Sequence, residues 1–226
     1  MVLNNSEHKY RAQKNISNIF LTGLCGSGKT VIGRHLARRM GFGYLDLDQW
    51  IEKTAGIPVW KIFSEKGERW FRDQETEAVH EIKKITGHVI SLGGGTLQND
   101  ENWDVISGLG VTVWINTPPR LIASRFAKND DELRKRPLLA EMVSENLGAE
   151  KEQALQKKLE DQLSERMAGF SQAHMVFSDG FVAPDDAALR IRQILGSREF
   201  QKSLKKSFKQ KDFSKNKEDI KASEGG

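Results

Sequence analysis

Residues Gly23-Leu24-Cys25-Gly26-Ser27-Gly28-Lys29-Thr30 bring together the groups that handle phosphate. They match the spacing G-x-x-x-x-G-K-[ST], with an apolar run before them and a helical pattern after. Glycines let successive backbone N–H groups point into one concavity without Cβ clashes. The start of a helix adds partial positive charge toward an anion seated there. In such a loop Gly26, Ser27, Gly28 and Lys29 would cradle the phosphates of ATP. Lys29 reaches the β- and γ-phosphates as a point charge, and the Thr30 hydroxyl is placed to ligate Mg²⁺. Cys25 sits at a position where any small residue fits; the alternative is a thiolate favoured by Lys29 and the helix end.

A phosphate loop names a donor and leaves the acceptor open. Asp46-Leu47-Asp48 ends a second apolar run, and strand alternation would put both carboxylates on one side. There they could hold Mg²⁺ or its waters and accept from hydroxyls, or Asp48 could simply cap the next helix. Gly93-Gly94-Gly95 follows another apolar run. Three adjacent glycines suit close approach of a small ligand to bare amides, or a flexible loop. Arg72, with Glu75 one turn later, and Arg166, late in a long helix, could converge on a carboxylate bidentately or face solvent. The residues alone therefore imply a Mg·ATP-dependent phosphotransferase acting on a small hydroxylated, anionic molecule.

The elements that must hold these groups alternate. Asn18–Thr22, Tyr44–Leu47, His88–Leu92, Val111–Ile115 and Met175–Ser178 read as short strands. Lys29–Met40, with Gly41 as its C-cap, and Glu68–Ile85 read as helices, as do Lys151–Phe170 and Pro184–Leu195. A further helix starts at Pro118-Pro119, and a helical stretch over Asp48–Phe63 is interrupted at Gly56-Ile57-Pro58. This alternation predicts an α/β fold with a parallel sheet covered on both faces. Residues 1–17 read as a frayed extension, and the Lys- and Ser-rich residues 197–226 as a disordered tail. In that tail Phe200, Leu204 and Phe208 nevertheless keep helical spacing, as a short basic amphipathic helix would.

The 226-residue chain carries a formal charge of +4, all of it in residues 197–226. The remaining residues hold 26 basic and 26 acidic groups, so the core has no net positive face for nucleic acid. No run of 18 apolar residues offers a membrane span, and the start shows no secretory pattern. The single cysteine excludes an intramolecular disulfide and fits a reducing compartment, so a cytoplasmic location is expected. The five histidines lack zinc-site spacing.

Taken together, the residues resemble shikimate kinase. The matching series is G-L-C-G-S-G-K-T at 23–30, I-G-R at 32–34, D-L-D at 46–48, F-R at 71–72, S-L-G-G-G at 91–95, R-P-L-L at 136–139 and Arg166, in order across residues 18–196. The resemblance implies a three-layer P-loop kinase fold: a central five-stranded parallel sheet flanked by helices, with a lid (about 128–152) and a substrate-binding helical region. It implies ATP-dependent phosphorylation of the 3-hydroxyl of shikimate by a monomer, with Lys29, Asp48 and Arg136 catalytic. Arg72 and Arg166 would hold the shikimate carboxylate, with Gly93, Gly94 and Gly95 beside them. Asp46 and Thr30 would sit at Mg²⁺, Glu75 would orient Arg72, and Val59, Phe63 and Phe71 would wall the ring. Val31 would lie at the α-phosphate, Arg136 would swing from the lid onto the phosphates, and Arg125 and Pro184 would lie at the adenine. The sequence departs from the family at Val31, where a second hydroxyl residue is usual, and at Phe170, where Tyr is usual. Extra residues around Lys128–Asp131 and Met142–Glu152 read as an enlarged lid, either a harmless insertion or a change in lid kinetics, and they bring Arg134 near as well. The same scaffold could serve a gluconate-kinase-like enzyme, which the G-G-G run and the F-R pair disfavour, or a non-catalytic effector-binding module.

Overall fold

Five short apolar segments form the centre of the molecule. The computed structural model describes residues 16–140, 149–178 and 182–207. The strands are β1 (Asn18–Thr22), β2 (Gly43–Asp46), β3 (His88–Ser91), β4 (Val111–Ile115) and β5 (Met175–Phe177). They form one parallel sheet in the order β2-β3-β1-β4-β5. β1 and β4 are buried at every residue, as continuous apolar runs in a sheet covered on both faces must be.

Helices connect the strands: α1 (Lys29–Met40), α2 (Leu47–Ala55), α3 (Val59–Glu81), α4 (Asp100–Leu109), α5 (Pro119–Phe126), α6 (Asp130–Arg134), α7 (Pro137–Ala140), α8 (Ala149–Ser171) and α9 (Pro184–Leu195). Short 3₁₀ turns occupy Ile82–Lys84 and Thr96–Gln98. One hydrophobic cluster gathers Phe20, Leu47, Ile51, Ile62, Ile90 and Leu97. A second gathers Leu24, Trp114, Ile122, Leu133, Leu139, Leu155, Leu159 and Phe170. Together they make a three-layer α/β arrangement, a five-stranded parallel sheet flanked by helices, as the resemblance implied.

Several expectations are corrected. β2 stops at Asp46, and Leu47 already opens α2, because the Asp46 carboxylate caps that helix by accepting from Gln49 N. The helix after Pro58 runs through the gap left between Phe63 and Glu68, and its break falls at Gly67, whose φ of 82° only glycine adopts readily. Residues 96–109, unassigned in the sequence reading, form the 3₁₀ turn and α4, which Asn99 caps through Glu101 N. Residues 198–207 are helical where a disordered tail was expected, with Leu204 buried. The apolar spacing of Phe200 and Leu204 outweighs the lysine content there; Phe208 lies outside the described residues, as do 1–15 of the expected extension. The described residues divide into two compact units, one of residues Ile16–Leu189, which carries the whole sheet, and one that includes residues 190–207.

Candidate active site

In the order β2-β3-β1, three adjacent strands end side by side, and the loop after each carries a motif. In open α/β sheets ligands bind at these carboxyl ends. The phosphate loop follows β1. Its Gly26 has φ 80°, and a Cβ there would stand 2.6 Å from the Phe126 ring. Gly28, at the cap of α1, has φ 98°. The Lys29 ammonium folds over the loop, donating to the carbonyls of Gly23 (2.8 Å) and Leu24 (2.9 Å). Burial holds its pKa below the usual lysine value although Asp48 and Asp46 act the other way. Thr117 Oγ1 donates to the Ser27 carbonyl at 2.9 Å and braces the loop from beyond β4.

At the end of β2, Asp46 Oδ2 accepts from Thr30 Oγ1 at 2.9 Å and from Tyr44 OH at 3.1 Å; Tyr44 OH also lies 3.0 Å from Ser91 Oγ. Thr30 and Asp46 thus meet, as expected. Asp48 reaches the same region by a different route from the one predicted: it stands in the first turn of α2, so the strand-to-helix junction and not strand alternation aims it. The capping role considered for Asp48 belongs to Asp46. Asp48 Oδ1 is shut off from solvent and has no hydrogen-bond partner among the described residues. Burial first, then Glu75 and Asp46, push its pKa up to about 7.

After β3 the glycine run meets the arginines. None of the three glycines has positive φ; what they supply is room. A Cβ on Gly95 would lie 2.6 Å from Arg72 Nη1, one on Gly94 2.9 Å from Arg166 Nη1, and one on Gly93 2.3 Å from Glu75 Oε1. The run thus lets charged side chains of the protein itself close on the backbone, and all three glycines still line the cavity where close approach of a ligand was expected. Arg72 pairs with buried Glu75 and donates from Nη2 to Glu68 Oε1 at 2.8 Å. Burial opposes its charge, but Glu75 and Glu68 outweigh it and hold the guanidinium above its usual pKa. Arg166, 9% exposed on α8, has its pKa pushed down by burial and then by the like charge of Arg72. A cation held at such a disadvantage gains most from an incoming anion.

These groups line one cavity of about 510 Å³, together with Val59, Phe63, Phe71 and Gln162. Thr30, Val31, Asp46, Asp48, Arg72, the three glycines, Arg136 and Arg166 all face it. Phe63 and Phe71 pack with ring centroids 5.0 Å apart and their planes tilted by 47°. Arg136, between α6 and α7, turns inward, held above its usual pKa chiefly by the Cys25 sulfur beside it, against the cost of burial. Leu133 and Leu139 on either side are buried in the second cluster, which fixes this part of the lid to α8. Residues 141–148 of the expected lid insertion lie outside the described residues. Val31 is half exposed. Arg125 and Pro184 meet in a separate pocket of about 120 Å³ with Ser27, Ile32 and Thr117, beside the phosphate loop.

Sequence reading missed Glu68, Thr96 and Gln162. Glu68 and Gln162 each stand four residues before a site arginine, a helical spacing that could have found them. Thr96 carried no such signal; only the fold brings it to Glu75, to which it donates at 2.7 Å.

A parallel sheet with a phosphate loop after its central strand, and an anion-seeking pocket beside it, defines a P-loop kinase. The family model "Shikimate kinase" matches residues 25–194. A shikimate kinase of Chlorobium phaeobacteroides is 37% identical over 163 residues, covering 72% of this chain and 78% of that protein. One of Chlorobium limicola is 44% identical over 126 residues, covering 56% and 61%. Among solved structures, shikimate kinase from Acinetobacter baumannii in complex with shikimate matches with TM-score 0.70 and 32% identity, over 82% of this chain and 96% of that one. The chain belongs to the shikimate kinase family, enzymes that phosphorylate shikimate with ATP.

Proposed function

We propose that this chain transfers the γ-phosphoryl group of ATP to the 3-hydroxyl of shikimate, giving ADP and 3-phosphoshikimate. The observation that carries this reading is the pairing of Arg166 and Arg72 across the glycine run, in the same cavity as Asp48 and Thr30. The two guanidiniums take the acceptor carboxylate, Phe63, Phe71 and Val59 cover its ring, and the hydroxyl at the far side of the ring reaches Asp48. Asp48 Oδ1, lacking another partner, accepts the hydroxyl hydrogen and aligns the oxygen. As the O3–Pγ bond forms, the bond from Pγ to the β–γ bridging oxygen breaks, the hydroxyl proton passes to Asp48, and ADP leaves. Lys29 and Arg136 neutralise charge on the phosphoryl oxygens, which is most of what a loose transition state needs. Gly26, Ser27, Gly28 and Val31 line the triphosphate, and Arg125 and Pro184 border the adenine.

Mg²⁺ fits the donors present: a hydroxyl and a carboxylate, both hard oxygen ligands, meet at Thr30 and Asp46. Among the described residues no cluster of three His, Cys, Asp or Glu could hold a metal unaided, so phosphates and waters would complete the shell. When bound, Mg²⁺ supplies charge neutralisation at the β- and γ-phosphates. Among the described residues no helix is long and apolar enough to cross a membrane; we place the enzyme in the cytoplasm, as a monomer. The test is coupled ADP release with Mg·ATP and a panel of hydroxy acids that includes gluconate. Shikimate-dependent turnover supports the reading, and preferential turnover of gluconate overturns it.

A further inference from the structure

Glu75 is 1% exposed and carries a carboxylate whose two oxygens are used separately. Oε2 pairs with Arg72 Nη1, and Oε1 accepts from Thr96 Oγ1 at 2.7 Å. Thr96 is itself 1% exposed, at the start of the 3₁₀ turn behind the glycine run. Its hydroxyl has one hydrogen and two acceptors in reach, Glu75 Oε1 and the Gly93 carbonyl at 3.1 Å, and the charged oxygen is the nearer. Its carbonyl accepts from Asn102 Nδ2 at 3.1 Å, and Asn102 is buried on α4. α4 thus holds the turn, the turn holds Thr96, Thr96 holds Glu75, and Glu75 holds Arg72. Glu68, the other partner of Arg72, is more than half exposed and is a weaker anchor.

We infer that Thr96 is a positioning residue for the acceptor: its hydroxyl fixes the buried Glu75 carboxylate so that Arg72 is presented at the angle the acceptor's carboxylate requires. This rests on the reading that Arg72 binds that carboxylate. Removing the hydroxyl leaves a buried charged oxygen without a donor, a loss that such sites relieve by moving the carboxylate. Moving it releases Arg72. Among the described residues no hydrogen bond or ion pair ties Arg72, Glu75, Thr96 or Asn102 to the phosphate loop, so nucleotide binding is expected to stay as it was.

The experiment is steady-state kinetics on the full chain with Thr96→Val, Thr96→Ala, Thr96→Ser and Arg72→Ala, varying each substrate in turn, with melting temperatures alongside. Thr96→Val keeps the shape and removes the donor; Thr96→Ala serves where the added methyl prevents folding; Thr96→Ser returns the donor. The expected result is a rise of about tenfold in shikimate KM for Thr96→Val and Thr96→Ala, the cost of one lost hydrogen bond to a charged group. ATP KM should stay within about twofold, and Thr96→Ser should restore the parent value. Should Arg72→Ala raise shikimate KM while Thr96→Val and Thr96→Ala only lower the melting temperature, Thr96 is structural and the inference falls alone. An Arg72→Ala variant with unchanged shikimate KM removes the carboxylate reading and the inference with it. A rise in both KM values to the same extent also overturns it.

Discussion

Asp48 carries the sharpest consequences at the scale of single residues. Its pKa of about 7 stands above the ordinary aspartate value of 3.8, through burial and then the like charges of Glu75 and Asp46. A base must be ionised to work, so kcat/KM should fall tenfold per pH unit below about 7, read from a pH profile at subsaturating shikimate. The sign for stability is opposite. The folded-state pKa is the higher one, so the contribution is complete below about 4 and is lost as pH rises through about 7. Asp48→Asn should therefore abolish most turnover yet stabilise the fold at pH 8 by about 1–3 kcal/mol, and by less at pH 5, measured by denaturant unfolding. The glycines make a second residue-level prediction. Gly95→Ala puts a methyl 2.6 Å from Arg72 Nη1 and should raise shikimate KM about tenfold or more with little change in ATP KM, by the same kinetics. The identity of these residues was legible in the sequence because phosphate and carboxylate chemistry admits few side chains. Why the glycines are glycine was not, since the atoms they make room for come from α3 and α8, tens of residues away.

At the scale of elements, the site depends on how closely helices approach the turns behind it. α8 brings Arg166 into the cavity because Gly169, one turn on, lies against the 3₁₀ turn: a Cβ there would stand 2.5 Å from Gln98 Nε2 and 2.6 Å from the Leu97 carbonyl. Gln98 Nε2 also donates to the Arg166 carbonyl at 3.2 Å. Gly169→Ala should push α8 outward, lowering stability by about 1–3 kcal/mol and weakening shikimate binding, seen together in denaturant melts and calorimetric titration. The long apolar strands and the larger helices were legible from periodicity. The junctions were not: whether Asp46 or Asp48 caps α2 is decided by where β2 loses its partner, and α3 runs on past Phe63 through exposed residues to a break that falls only at Gly67. The 3₁₀ turn and α4 went unread because Asn99 and Asp100 look like loop residues until the cap they form is seen.

For the molecule as a whole, the balance of charge separates the catalytic unit from the chain end. The 26 basic and 26 acidic groups outside residues 197–226 leave a neutral scaffold, and we assign the positive potential that a triphosphate meets to two half-buried groups, Lys29 and Arg136. The strand order and its parallel pairing follow from alternating apolar runs and helices, which is why the fold class was legible. In residues 198–207 the helical spacing of Phe200 and Leu204 prevailed over the disorder that composition suggested, because composition describes a segment's average whereas burial of Leu204 depends on a single face. The central claim is that one cavity offers a carboxylate clamp and a base to an alicyclic alcohol beside a bound triphosphate. Mass spectrometry of the product, run with coupled ADP release on Mg·ATP and shikimate, tests it directly. The account predicts one phosphorylated shikimate for each ADP released; a folded protein that binds ATP but releases no more ADP with shikimate than without it would contradict the account.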